Sequence, residues 1–125
     1  MLFACATVLS GCADWSPGYS DKYIVFFDAQ SATISPTGKA ILDRAAAAIK
    51  AERPPHVAIA GEPANAPPHQ GFNPKLSEPR FAAVENALVL RGVNAQLLSR
   101  AAMTETEAKL NPSGKRRVEI RLLKS

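Results

Sequence analysis

Few residues of this 125-residue chain have the type to do covalent or acid–base chemistry, and their spacing argues against it. Ser77, His69 and Glu62 have the types of a nucleophile, a base and an orienting acid, but no Gly-x-Ser-x-Gly elbow or comparable motif places them together. His56 follows two prolines, and His69 lies in a stretch with three prolines and no periodicity. Two separated histidines with no structural cysteine make no zinc-type ligand set, so no metal is expected. The expectation is therefore a protein with no catalytic residue and no cofactor.

The two cysteines, Cys5 and Cys12, sit in or beside the apolar N-terminus, where a disulfide or metal site would have no folded scaffold. Residues 1 to 9 are nearly all apolar but fall well short of the ~18 residues that span a bilayer. They suit the hydrophobic core of a secretory signal. The run closes on Leu9-Ser10-Gly11-Cys12, which resembles the bacterial lipobox, in which the cysteine is lipidated and becomes the new N-terminus. On that reading Cys12 is a lipid anchor and Cys5 is removed. No positively charged residue precedes Cys12, so a start upstream of Met1 is expected. The alternative is an apolar stub packed on the domain. Ala13 in place of aspartate resembles the enterobacterial signal for sorting to the outer membrane. Residues 13 to 22 carry turn formers without periodicity and read as a tether of about 35 Å when extended.

The rest of the chain must supply whatever positions a site. Tyr23-Ile-Val-Phe-Phe-Asp28 reads as a buried first strand. Ser35 offers a helix N-cap with Pro36 at the first helical position, and Ile41, Leu42, Ala45, Ala48 and Ile49 form one apolar face ending at Pro54-Pro55. His56 to Gly61 reads as a second strand, followed by a long Pro-rich loop. A second helix is expected from the 73–77 region to Arg91, with Leu76, Ala83, Val84, Ala87 and Leu88 inward and Gly92 as its stop. Leu97 to Met103 gives a third strand, and a polar turn leads to a fourth over Arg116 to Leu123. There Val118, Ile120 and Leu122 alternate with Arg117, Glu119 and Arg121. Phe26, Leu42, Val84 and Ile120 are expected in one core.

Length suits one domain, and 46% hydrophobic with 21% charged residues reads as globular. The excess of 15 basic over 11 acidic residues gives only weak attraction to anionic polymers or headgroups. Lys115, Arg116, Arg117, Arg121 and Lys124 fall on or beside an alternating strand and read as its solvated rim, so no nucleic-acid partner is expected. The fold class is α/β, an α+β sandwich in which a β-α-β-α-β-β chain forms a mixed sheet with helices packed on one face. The division is 1–11 signal peptide, 12–22 lipidated cysteine and tether, 23–125 folded domain.

Phe26-Phe27-Asp28, Ile34-Ser35-Pro36 with Gly38, and Leu42-Asp43 together resemble the opening of the OmpA-like family. Asn73-x-x-Leu76-Ser77-x-x-Arg80 resembles its most specific motif, and Arg116-Arg117-Val118-Glu119-Ile120 its closing strand. The resemblance covers residues 23 to 123 in order. It implies the family's fold and a non-catalytic domain that holds the diaminopimelate side chain of peptidoglycan stems. An Asp after the second strand would pair its ammonium and the motif Arg its carboxylate, a division suited to a zwitterion.

The sequence departs from the family at the acid, because Gly61-Glu62-Pro63-Ala64 puts Ala64 where Asp is expected. Glu62 lies two residues away on the same side of an extended chain, so it is either a substitute acid or a solvated loop residue. Pro79 breaks the helix if it starts at Asn73 and falls in the tolerated first turn if it starts at Ser77. Ala102-Met103-Thr104-Glu105 replaces the family's Gly-x-Gly-Glu tendency. The ligand contacts implied are Arg80, Glu62, Asn73 and position 64, with peptidoglycan as partner and the membrane reached through the N-terminal lipid. The expected role is a periplasm-facing outer-membrane lipoprotein that links membrane to wall. The other reading is a degenerate domain serving as a docking module for envelope proteins.

Overall fold

A computed structural model of the chain describes residues 19–62, 73–103 and 116–124. Cys5, Cys12, the first part of the tether, Ala64, His69 and the polar turn before Arg116 lie outside them.

The first strand, β1 (Tyr19–Phe26), begins four residues before Tyr23. Its start crosses Ser20 and Asp21, which carry turn chemistry, because pairing to the last strand needs only backbone groups; the register shifts between Tyr19 and Asp21. Asp21 then accepts from the Lys22 amide and the Tyr23 hydroxyl, each at 3.0 Å. Helix α1 (Pro36–Glu52) opens as expected, with Ser35 Oγ accepting from the Gly38 amide at 3.0 Å. A Cβ on Gly38 would lie 2.9 Å from Ile34 Cγ2 and 3.3 Å from Val25 Cγ1, so the helix approaches β1 this closely because residue 38 has no side chain. The helix ends at Arg53 in the left-handed region, ahead of Pro54.

Strand β2 (Val57–Gly61) precedes the loop, and a 3-10 turn (Pro74–Leu76) leads into helix α2 (Ser77–Leu90). Pro79 therefore falls in the first turn of α2, where its missing N–H costs no helical bond. The helix stops before Gly92, whose φ of +92° a side chain would strain. A second 3-10 turn (Ala95–Leu97), β3 (Leu98–Ala102) and β4 (Arg117–Leu123) complete the fold.

The sheet order is β1-β4-β2-β3, with β4 antiparallel to both neighbours and β2 parallel to β3. Both helices pack on one face, giving the mixed-sheet α+β architecture expected. The core joins Val25, Phe27, Val57, Ile59, Val118, Ile120 and Leu122 of the strand layer to Leu42, Ala45 and Ile49 of α1 and Phe81, Val84 and Leu88 of α2. Full burial of one such aliphatic side chain stabilises by about 1.5–3 kcal/mol.

Two expectations change. Phe26 is 51% exposed and Phe27 takes its place in the core, because pairing of Val25 with Val118 sets the phase of β1. The polar face of β4 is no solvated rim either: Glu119 is fully buried, as is its β2 partner Ala60. Glu119 accepts from Arg121 Nε at 3.0 Å and has Arg121 Nη2 at 2.9 Å. Arg117 Nη2 lies 2.8 Å from Glu119 Oε2 as an ion contact without hydrogen-bond alignment, and Arg117 Nε is buried without a partner.

Candidate functional site

Four residues into α2, Arg80 turns inward and is only 3% exposed. Its Nε donates to the Ser31 carbonyl at 2.9 Å, and Nη2 donates to the carbonyls of Asp28 at 2.9 Å and Ala29 at 3.4 Å. The guanidinium also lies over the Phe27 ring, 5.4 Å from its centroid. Burial, and secondarily the like charge of Arg116, pull its pKa below the ordinary guanidinium value. Arg80 thus fastens the loop after β1 to α2, and most of its donor capacity is spent on backbone carbonyls.

Glu62 leaves the end of β2, and its carbonyl accepts from Ser77 Oγ at 2.6 Å. That bond ties the β2 exit to the first turn of α2. Asn73 caps the 3-10 turn, with its side-chain oxygen accepting from the Lys75 amide at 3.0 Å. Gly61, Glu62, Ser77, Arg80, Phe81 and Arg117 surround a cavity of about 10 Å³. Such a space holds about one water. Glu62, Ser77 and Arg80 therefore line one cavity, Asn73 stands at the start of the same segment, and Ala64 lies outside the described residues. His56 is exposed at the far end of β2 from Ser77, and among the described residues no group of three His, Cys, Asp or Glu side chains could hold a metal ion.

A larger groove, about 330 Å³, opens on the other side of the Arg80-held loop. Phe26, Phe27, Asp28, Thr33, Ser35 and Arg116 line it. The Arg116 carbonyl accepts from the Phe27 amide at 2.8 Å, and Arg116 Nε donates back to the Phe27 carbonyl at 3.3 Å. The Asp28 carbonyl accepts from the Ser31 amide at 3.1 Å as well as from Arg80. Both backbones are thereby fixed. No ion pair joins the Asp28 carboxylate to the Arg116 guanidinium, and neither has another charged partner among the described residues. Sequence reading did not bring these two residues together. The signal was the pairing of the strand that ends at Asp28 with the one that starts after Arg116, visible once β1 and β4 are known to be antiparallel.

The remaining charged clusters are closed on themselves. Arg100 on β3 donates to Glu85 at 2.9 and 2.8 Å and to Glu78 at 2.5 Å while lying over the Phe81 ring. The hydrogen bond from Arg100 holds the Glu78 carboxyl below the usual carboxylate range, and both carboxylates raise the pKa of Arg100. Arg91 Nε donates to Asp43 Oδ1 at 2.7 Å, joining the two helices across a second groove.

Two helices layered on a mixed sheet of this strand order, with Arg80 of α2 clasping the loop after β1, define an α+β fold. The sequence matches the OmpA family over residues 26–121, and the chain belongs to that family. Among solved structures it is similar to the OmpA-like domain of FopA1 from Francisella tularensis, at 22% identity, TM-score 0.65, with 82% of this chain and 71% of that one covered. It is also similar to the peptidoglycan-associated lipoprotein from Burkholderia pseudomallei, at 23% identity and TM-score 0.62, covering 79% and 88%. A third likeness is the periplasmic domain of Helicobacter pylori MotB, at 21% identity and TM-score 0.59, covering 81% and 68%. No curated protein matches the chain. Domains of this kind are in general binding modules without chemistry of their own.

Proposed function

We propose that this chain is a non-catalytic envelope lipoprotein whose OmpA-family domain binds peptidoglycan, through the diaminopimelate stem peptide, and links the outer membrane to the cell wall. The observation that carries the reading is membership of the OmpA family across nearly the whole folded part. Likeness in fold to a peptidoglycan-associated lipoprotein supports it. Among the described residues no helix is long and apolar enough to cross a membrane. Attachment is assigned to Cys12, with residues 1–11 as signal peptide and the expected tether of 12–22 shortened to 12–18, because β1 begins at Tyr19. Arg80, Glu62, Asn73 and position 64 are proposed to flank the ligand.

Two measurements test this. The full chain should sediment with isolated sacculi at low salt; failure to do so overturns the peptidoglycan reading. Expressed behind a functional signal start, the wild type should incorporate a labelled lipid precursor and Cys12→Ser should not. Equal labelling of the two sinks the anchor.

A second reading has its own observation. Ala64 stands where the family resemblance places the acid, which suits a domain that has lost this contact and docks envelope proteins instead. Sacculus binding separates the two readings.

A further inference from the structure

We propose that the pole of the domain from which the tether leaves is a docking surface for an anionic phospholipid membrane, with Lys22, Lys50 and Arg53 meeting the head groups and Leu90 entering the interface. The choice of lipid over another acidic partner rests on the anchoring at Cys12 proposed above.

The topology gathers these residues at one end. Tyr19 opens β1 and pairs with Leu123, the last residue of β4, whose amide donates at 3.0 Å to the His56 carbonyl just before β2. Both helices finish at the same pole. α1 closes at Arg53, three residues before His56, and Lys50 Nζ lies 3.0 Å from where a Cβ on Gly92, just past α2, would stand. The 14 residues of α2 span about 20 Å, so Ser77 and the Arg80 cavity sit at the opposite end.

Two properties meet at this pole. Lys22, Lys50, Arg53 and Lys124 are exposed here, against the acids Asp21 and Glu52, while Asp43 higher on α1 is already held by Arg91. Among the described residues no ion pair holds the side chains of Lys22, Lys50 or Arg53. Leu90 is 85% exposed and Val89 is 44% exposed, and both lie at the end of α2. Compensation of the helix dipoles would account for a basic last turn in α1, but not for Lys22 on β1 or for a leucine left in water. An apolar side chain ringed by cations suits the head-group region of an anionic leaflet.

The attachment point agrees with the patch. Residues 12–18 reach at most about 25 Å, so a lipidated Cys12 keeps Tyr19 and its neighbours beside the bilayer. Docking there turns the end that carries Glu62 and Arg80 away from the membrane.

The test uses the full chain carrying Cys12→Ser, which cannot be acylated, and sediments it with vesicles of phosphatidylcholine alone or mixed with phosphatidylglycerol. Residues 1–11 carry no charged side chain and are common to every variant, so the readout is the preference for anionic over neutral vesicles. That preference should be clear at low salt and fade at high salt. Lys50→Gln combined with Arg53→Asn should reduce it by about tenfold or more, and Leu90→Gln several-fold, with thermal midpoints near the parent's. Asparagine suits the left-handed φ of 50° at position 53. Lys39→Gln combined with Lys75→Gln removes the same charge at the opposite pole and should leave the preference nearly unchanged. No preference for anionic vesicles, an unchanged preference in the Lys50 and Arg53 variant, or an equal loss in the Lys39 and Lys75 variant overturns the proposal. So does binding of polyglutamate without binding of vesicles, which makes the occupant an acidic protein. A dimer in sedimentation velocity that Leu90→Gln dissolves makes it a second copy, and overturns the proposal too. The surface and the anchor fail separately. Lipid labelling of wild type that needs Cys12, without anionic preference in the Cys12→Ser chain, removes the docking surface and leaves the anchor; anionic preference with labelling equal in the two removes the anchor and leaves the surface.

Discussion

Arg80 sits in the family's most specific motif, where resemblance makes it a ligand contact, and the geometry gives it a second task. Its donors satisfy the carbonyls of Ser31, Asp28 and Ala29, so truncation leaves buried acceptors unpaired as well as removing a charge. Arg80→Ala should lower unfolding free energy by about 2–4 kcal/mol in urea titration. A near-neutral result would mean that the β1 loop holds itself. The sequence marks Leu42, Val84 and Ile120 correctly as interior positions, because helical spacing and strict alternation reveal which side faces in. It does not resolve Phe26 from Phe27. The run from Tyr23 to Phe27 is apolar throughout, so it carries no phase, and only pairing with β4 decides which ring is buried. Glu119 shows the converse. Alternation places it on the polar side, yet nothing local tells that this side is covered.

Elements were legible where a cap or breaker marks them. Ser35-Pro36, Pro54-Pro55 and Gly92 set helix ends that the structure keeps, and Pro79 selects Ser77 over Asn73 as the start of α2. The start of β1 was not legible, since Ser20 and Asp21 are recruited by a ladder to a strand at the other end of the chain. The link between α2 and β3 is a further case, because Arg100 meets Glu78 and Glu85 only after the β2-α2-β3 crossover brings them together. Arg100→Leu should cause a modest loss of stability at neutral pH, smaller than that of Arg80→Ala, since the cluster is largely solvated. The Glu78 carboxyl is held low in the folded state, so its share is present above the unfolded carboxylate pKa and is lost as pH falls through the lower folded value. Thermal midpoints of wild type and variant, taken from neutral to strongly acid pH, should therefore converge at the acid end. A gap that widens on acidification would contradict the sign.

At the scale of the molecule, α+β layering and element order follow from the sequence, whereas the strand order β1-β4-β2-β3 does not. No local signal states that the last strand inserts between the first two. That placement makes β4 the common partner: Tyr23 pairs with Ile120, and Ile59 pairs with Ile120 from the other side. Removing residues 116–125 leaves β1 without a neighbour and β2 with β3 only. The truncated chain should lack cooperative thermal unfolding and slow amide exchange, and a sharp transition would show that the sheet closes without its centre. Pairing across such sequence separation also implies slow folding relative to helical domains of the same length. A chain whose keystone strand comes after every strand it joins cannot close its sheet until that strand is available. For a domain proposed to be exported, that order keeps the earlier strands open to passage across the membrane.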